Sequence, residues 1–302
     1  MADPRAPEAI GAVLHRRLGA LVAELHVRDR ETRDGVSDGL HQARVTSRRL
    51  RSALVTFRPV LVRDVTEPLR ADLRWLALSL GDARDAEVMR ERLHRLAVEE
   101  LEPDDVDRVT LRVDRALDDL TRRAQATVEV TLDADRYRAL LAGLDRLVAD
   151  PPWSEAATSP AEEFLEARLD KEWRRLNKRA ETARGLADHP AAYDEAVHDV
   201  RKAAKRLRYA WEVAEPVLGA DAADQVAATR DVTRLLGERQ DIVLTRALLP
   251  RLEADAAADG EPTEPWDRLR RHEAERAAHI ASDTLDMLKS GTLSPGVAVR
   301  EK

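Results

Sequence analysis

Two basic stretches of the sequence combine one histidine with several arginines or lysines. The first runs from His41 to Arg51 and carries four arginines without an acidic residue. The second runs from His198 to Arg208 and carries five lysines or arginines with one acidic residue. Arginine offers phosphate oxygens a planar fork of donors, lysine offers a compact charge, and histidine can donate one more hydrogen bond. These residue types indicate the binding of an anion.

Helical periodicity collects these cations into one stripe on each helix. The stripes consist of His41, Arg44, Arg48 and Arg51, and of His198, Arg201, Lys205 and Arg208. Each stripe is about 15 Å long and borders the apolar face of its helix. Like charges at these spacings repel one another, and the helix dipole disfavours cations near a helix start. A basic surface paired with neighbouring acids is the structural alternative, but an anion lying along the stripes would remove both penalties.

The two basic stretches belong to an internal repeat. Residues 40–61 align with 197–218 at an offset of 157, with nine of twenty-two positions identical. Leu-Gly blocks at 80–85 and 236–241 align at an offset of 156. Two matched blocks in the same order indicate a duplication. The predicted organisation is a first helical half at 1–150, a linker at 151–160 and a second half at 161–302.

Helices must position the two stripes, and the hydrophobic pattern of the chain predicts helices almost throughout. Apolar residues recur at three- and four-residue spacing between the fourteen prolines, without convincing two-residue alternation. The sequence therefore predicts an all-α protein. The Leu-Gly pairs at 80–81 and 236–237 are expected to end helices, with glycine at the C-cap position. The predicted helices are 8–30, 37–58, 66–80, 83–100, 105–129, 135–149, 161–185, 192–214, 221–236, 239–257 and 264–289.

Further basic residues could extend an anion-binding groove. Arg74 and Arg230 occupy matched positions, each seven residues before the glycine of its Leu-Gly pair. A weaker group is predicted to form the rim of the groove, and consists of Arg84, Lys171, Arg175 and Lys178.

Composition excludes several other functions. The net charge is −7 and cysteine is absent, so disulfides, thiolate metal sites and cysteine nucleophiles are excluded. No signal peptide or membrane span is evident, and a cytoplasmic protein is expected.

Gly35-Val-Ser37-Asp38-Gly39 matches a nucleophile elbow, but no strand precedes it, so Ser37 or Asp38 is expected to cap a helix. We expect no catalytic residue, metal or cofactor.

The motifs H-x-x-R-x-x-x-R-R-L-R at 41–51 and H-x-x-R-K-x-x-K-R-L-R-Y at 198–209, with the Leu-Gly blocks, resemble the CHAD family, the conserved histidine α-helical domain. The resemblance covers about 8–289. It implies two pseudo-symmetric helical-bundle halves around a central basic groove and non-enzymatic binding of inorganic polyphosphate. Some family members sit at polyphosphate granules, and others are fused to a triphosphate tunnel metalloenzyme. That enzyme's E-x-E-x-K signature is missing, so a stand-alone member is expected.

The resemblance assigns polyphosphate binding to both motifs and to the two helices that precede the Leu-Gly pairs. The assigned residues are His41, Arg44, Arg48, Arg49, Arg51, Arg74, His198, Arg201, Lys202, Lys205, Arg206, Arg208 and Arg230. Val45 stands where the second half has Lys202, so the halves are electrostatically unequal.

Other functions for the same groove stay open. Nucleic acid or another phosphorylated ligand is disfavoured by the acidic net charge and by the low aromatic content. The groove could also belong to a phosphate-transfer or hydrolysis enzyme, or to an accessory subunit of one. Such an enzyme would need a set of metal ligands or a general base, and the sequence does not offer one. No membrane contact and no particular protein partner is indicated.

Overall fold

The computed structural model describes residues 7–36 and 38–289, without the side chain of Arg84. This part of the chain folds into ten α-helices and two short 3₁₀ helices and contains no β-strand, so the all-α prediction is confirmed. The helices are α1 (Ile10–Arg33), α2 (Gly39–Thr56), α3 (Arg63–Ser79), α4 (Gly81–Glu100), α5 (Pro103–Asp133), α6 (Asp135–Ala149), α7 (Ala161–Gly185), α8 (Pro190–Leu218), α9 (Ala220–Ala258) and α10 (Glu264–Lys289). The 3₁₀ helices are Arg58–Val60 and Glu155–Thr158.

One predicted helix end is wrong and another needs correction. Helix α9 runs without a break through Leu236 and Gly237, where the sequence predicted a stop. Both residues are buried, and their packing outweighs the cost of about 1 kcal/mol of a glycine inside a helix. A break does occur at Leu80, but Gly81 begins α4 instead of capping α3.

The described chain forms two compact units. The first takes residues 7–36, 38–79 and 130–233, and the second takes 80–129 and 234–289. Each unit contains segments from both halves of the sequence. The compact units and the sequence repeats are thus different divisions of the chain, and the repeat halves stay a prediction.

The first unit is built around α1, which contacts α2, α6, α7 and α8. Ile10, Leu14, Leu18, Leu21 and Leu25 recur at helical spacing and are almost completely buried. Each such side chain contributes roughly 1.5–3 kcal/mol through removal from water. This core fixes the helices that carry the basic stripes.

A tight turn sets the start of α2. A Cβ atom on Gly39 would lie 3.0 Å from the backbone carbon of Glu31 and 3.0 Å from the backbone nitrogen of Thr32, so only glycine lets α2 approach α1 this closely. Asp38 occupies the N-cap position, but its side chain makes no capping hydrogen bond and accepts one from Gln42 Nε2 at 2.7 Å instead. Ser37, the other predicted cap, lies outside the described residues.

Backbone hydrogen bonds connect the predicted linker at 151–160 to neighbouring segments of the chain. The Val62 N–H donates to the Pro152 carbonyl at 2.8 Å, and the Ile10 N–H donates to the Ser159 carbonyl at 2.9 Å. The segment therefore fixes the starts of α1 and α3 as well as that of α7.

The second unit has its own core, in which Leu93, Val113, Leu249 and Trp266 from α4, α5, α9 and α10 pack together. Across the described residues, every helix is too short or too polar to cross a membrane.

Candidate anion-binding site

The two basic helices pack against each other in the first unit. Helix α2 contacts α8, while α3 lies against α2 and α7 lies against α8. Leu50 and Leu54 bury the apolar face of α2, and Leu207 and Trp211 bury that of α8. Because each stripe borders such a face, cations from both helices approach one another beside the core.

Lys205 lies among four arginines from the two helices. Burial and then the charges of Arg201, Arg48, Arg208 and Arg44 lower the pKa of Lys205 to about 7. These five residues, called the α2–α8 cluster below, lie close enough for their charges to act on one another. About half of the Lys205 side chains are uncharged at pH 7, and a nearby anion would restore their charge.

Arg48 experiences the same surroundings as Lys205. Burial lowers the pKa of Arg48, the Tyr209 phenol opposes the shift, and the charges of Arg44 and Arg201 add to it. Arginine nevertheless stays charged at neutral pH. The Arg48 guanidinium is therefore a half-buried cation held among other cations.

His198 lies at the start of the second stripe. Burial lowers its pKa, as do the charges of Lys202 and Arg201, while Asp199 opposes them. The imidazole is therefore mainly neutral at pH 7 and can donate one hydrogen bond.

A group of cations at this site has no acidic partner. Within the described part of the chain, no carboxylate forms an ion pair with the half-buried Arg48, Arg51 and Lys205, or with the exposed Arg74. Burying unpaired charge costs free energy, and proteins rarely do so without compensation. The arrangement is understandable if an anion from outside supplies the missing charge.

The cations continue into a cleft of about 560 Å³, called the α3 cleft below. Four arginines line it, together with apolar side chains and one acid: Arg51, Arg70, Arg74, Arg206, Val55, Ala71, Trp75, Leu78 and Glu67. Burial lowers the pKa of Arg51, and the charges of Arg74 and Arg70 lower it further. Arg74 thus adds a cation from α3 to this cleft, and its role in binding stays a prediction.

The carboxylate of Glu212, which is largely shielded from solvent, lies beside three arginines, one of which, Arg208, belongs to the α2–α8 cluster. The Glu212 carboxylate accepts a hydrogen bond from Arg17 Nη2 at 2.7 Å and lies 3.1 Å from Arg49 Nε. Its second oxygen lies 3.5 Å from Arg208 Nε, and the Glu212 side chain is only 10% exposed. Sequence reasoning missed Arg17 and Glu212, although a charged residue beside the buried residues Trp211 and Val213 could have marked Glu212.

The rim residues predicted on α7 differ in their surroundings, because a second buried carboxylate pairs with one of them. Glu172, whose side chain is 3% exposed, accepts a hydrogen bond from Arg175 at 2.5 Å and lies 4.0 Å from Arg206. Lys171 and Lys178 are exposed on the same helix and do not line the α3 cleft. Arg84, the fourth predicted rim residue, has no described side chain.

The remaining predicted residues differ in burial and in their contacts. His41 and Arg44 are half-buried on α2. Lys202 is exposed and donates to Asp199 at 3.0 Å. Arg230 is exposed on α9 and accepts, through its carbonyl, a hydrogen bond from the Thr233 hydroxyl at 2.9 Å.

The residues that the structure describes contain no group of three or more histidine or acidic side chains placed to hold a metal ion. The geometry instead offers guanidinium, ammonium and imidazole donors that converge from α2, α3 and α8. Such a donor set binds and neutralises an anion by hydrogen bonds and charge.

The fold and this donor set define an all-α protein with a basic surface on α2, α3 and α8. The family model for the CHAD domain matches residues 16–250, so the chain belongs to the CHAD domain family. This confirms the resemblance drawn from the two histidine motifs. Domains of this family generally act by binding, and they bind polyphosphate-related ligands.

Solved structures agree on the fold. PptA from Streptomyces chartreusis superimposes with a TM-score of 0.71 and 19% identity, over 94% of this chain and 100% of that one. The CHAD domain from the plant Ricinus communis superimposes with a TM-score of 0.69 and 23% identity, over 96% of this chain and 93% of that one.

Two curated relatives are the uncharacterized proteins MT2285 and Rv2226 of Mycobacterium tuberculosis. Each is 34% identical over 279 residues, which cover 91% of this chain and 52% of the relative. The chain thus spans about half the length of the curated relatives it matches.

Proposed function

We propose that this protein binds linear inorganic polyphosphate, without hydrolysing it, through the α2–α8 cluster and the α3 cleft. The observation that carries the proposal is the set of half-buried cations that pair with none of the described carboxylates, above all Arg48, Arg51 and Lys205. Family membership supports the proposal, because domains of this family bind polyphosphate-related ligands.

The chemistry of the donors fits a chain of phosphates. Guanidinium groups bind phosphate oxygens in pairs, and Lys205 would gain a full charge beside an anion. The donors extend from Lys205 on α8 through Arg48 and Arg51 on α2 to Arg74 on α3. A repeating anion with charge on every unit can satisfy such a row, whereas a single phosphate would leave most of the donors without a partner.

Binding of this kind is salt-dependent. A polyanion releases condensed counterions when cations replace them, so the logarithm of the affinity falls with the logarithm of the salt concentration; we extend this rule from nucleic acids to polyphosphate. With six or more contacts, the affinity should fall at least about 10³-fold between about 50 and about 200 mM salt.

A titration of the protein with long-chain polyphosphate at two salt concentrations tests the proposal. We expect tight binding at low salt and a steep loss at high salt. DNA of matched phosphate content serves as competitor, and should displace little polyphosphate because the molecule is acidic outside the cluster and poor in aromatic residues. Absence of binding, or displacement by DNA at equal phosphate concentration, would contradict the proposal.

Two further measurements address the absence of catalysis and the cellular location. Incubation with magnesium or manganese should release no phosphate from the polymer. A fluorescent fusion should collect at polyphosphate granules in cells that form them, and should spread evenly when the polymer is removed.

A further inference from the structure

Glu212 is an acidic residue within a surface that otherwise gathers cations. It lies on α8, one turn after Arg208, and its side chain is 10% exposed. A carboxylate at this place would repel a polyanion if it acted alone. Its contacts indicate a different effect.

Three arginines from three helices converge on this carboxylate. Arg17 from α1 donates to it at 2.7 Å, Arg49 from α2 lies at 3.1 Å, and Arg208 from α8 lies at 3.5 Å. Without the carboxylate, three guanidiniums at this separation would repel one another and turn towards solvent. The carboxylate therefore fixes where the guanidiniums lie, and the group of four keeps a net charge of +2.

Arg208 is held from two further sides. Its Nη1 donates to the Thr233 hydroxyl at 3.2 Å, and that hydroxyl in turn donates to the Arg230 carbonyl at 2.9 Å. The guanidinium also lies 4.8 Å from the centre of the Tyr209 ring. A guanidinium fixed in this way loses little conformational entropy when it binds an anion.

We propose that Glu212 is a positioning residue for polyphosphate binding, and that it acts by holding Arg208 in place within the α2–α8 cluster. This inference rests on the proposed function. It makes a prediction of unexpected sign, because removal of a negative charge from the site should weaken the binding of a polyanion.

The test compares Glu212→Gln with Glu215→Gln by titration with long-chain polyphosphate. Glu215 is an exposed acid on the same helix, so its substitution removes the same charge and serves as the matched control. We expect Glu212→Gln to weaken binding about tenfold, the equivalent of one positioned charge-assisted hydrogen bond. The slope of log affinity against log salt should become shallower by about 0.7–0.9, which corresponds to one lost phosphate contact. The Glu215→Gln variant should have the affinity and the salt dependence of the wild-type protein, or a slightly higher affinity.

A double-mutant cycle separates positioning from a general structural effect. If Glu212 acts through Arg208, Glu212→Gln should have little further effect on binding in an Arg208→Gln background. Thr233→Val removes the hydroxyl that accepts a hydrogen bond from Arg208 Nη1, without a change of charge, and should weaken binding about threefold. This variant keeps the test informative if Glu212→Gln does not fold.

The outcomes distinguish the two proposals. Salt-sensitive binding by the wild-type protein, with Glu212→Gln as tight as or tighter than wild type, would overturn the positioning role alone. An undiminished effect of Glu212→Gln in the Arg208→Gln background would also overturn it. Absence of wild-type binding would overturn the proposed function together with this inference.

Discussion

The two basic helices carry the same motif, yet they surround its last arginine differently. Arg51 on α2 and Arg208 on α8 occupy matched positions of the repeat. Four residues after Arg208 stands Glu212, whereas the matched residue after Arg51 is Val55. Arg208 is accordingly held by a carboxylate, while Arg51 lies beside an apolar wall of the α3 cleft.

The charges around these two arginines differ as well. The charges of Arg74 and Arg70 lower the pKa of Arg51. Glu67 pairs with Arg70 at 2.7 Å, but none of the described carboxylates pairs with Arg51 itself. Such a region gains most from an incoming anion, because the anion removes repulsion that the fold leaves in place. Helix α8 thus supplies a guanidinium held beside a carboxylate, and α2 supplies Arg48 and Arg51, which have no paired carboxylate among the described residues, so the two helices contribute in different ways.

The largest expected effect comes from removal of the cations at the α2–α8 junction. Arg48→Ala combined with Lys205→Ala should weaken polyphosphate binding about 100-fold or more, because each charge-assisted hydrogen bond contributes roughly 1.5–3 kcal/mol. Isothermal titration calorimetry measures the loss.

The matched control for this pair is Arg122→Ala with Arg123→Ala. These two exposed arginines lie on α5 in the second unit, and their removal changes the net charge equally. Equal losses in the two double variants would mean that net charge, and not the cluster, controls binding.

The next effect concerns pH. Because the pKa of Lys205 is about 7, its charge approaches completion only below about pH 6, and binding above pH 7 increasingly requires uptake of a proton. Affinity should therefore fall about fivefold between pH 7 and 8, provided that the bound polymer raises this pKa well above 8. Lys205→Arg, which stays charged, should bind with an affinity that is flat over this range. An equally steep fall in both proteins would contradict the role of Lys205.

A smaller effect on folding follows from the same pKa. Lys205 has a lower pKa in the folded than in the unfolded chain, so the unfolded chain binds more protons between about pH 7 and 10.5. The free energy of unfolding should therefore gain a contribution that rises with pH over this interval. In Lys205→Met, which cannot titrate, this contribution should be missing. Denaturant unfolding of both proteins at pH 7 and 9 measures the difference, and identical pH profiles would contradict it.

The smallest expected effect sharpens the comparison of the two arginines through stability. Arg208→Gln should lower the free energy of unfolding by about 1 kcal/mol, because it breaks contacts with Glu212 and Thr233. Arg51→Gln should leave it unchanged or raise it, because it removes a half-buried cation beside other cations. Thermal denaturation followed by circular dichroism suffices, and shifts of the same sign and size would refute the asymmetry.

The sequence predicted the helices well because their apolar residues keep a regular spacing. The spans 135–149, 161–185 and 264–289 agree with α6, α7 and α10. The prediction at Gly237 was wrong because the packing of Leu236 and Gly237, which are both buried within α9, outweighed the local preference of glycine for a helix end. Such an outcome depends on tertiary packing, which local propensity does not contain.

The site was predictable only as far as helical periodicity reaches. The spacing within α2 and α8 placed Arg48 and Lys205 on stripes, and the structure brings these stripes together. The buried partners Glu212 and Glu172 could not be predicted in the same way, because their effect depends on which helices pack against one another. Arg49 was assigned by motif alone, and its partner Glu212 became evident only from the fold.

A crystal structure of the protein with long-chain polyphosphate tests the central claim most directly. We expect phosphate groups within hydrogen-bond distance of Arg48, Lys205 and Arg208, with the chain continuing towards Arg51 and Arg74 in the α3 cleft. Polymer bound only elsewhere, for example along the second unit, with these five side chains unchanged and without contact, would contradict the account.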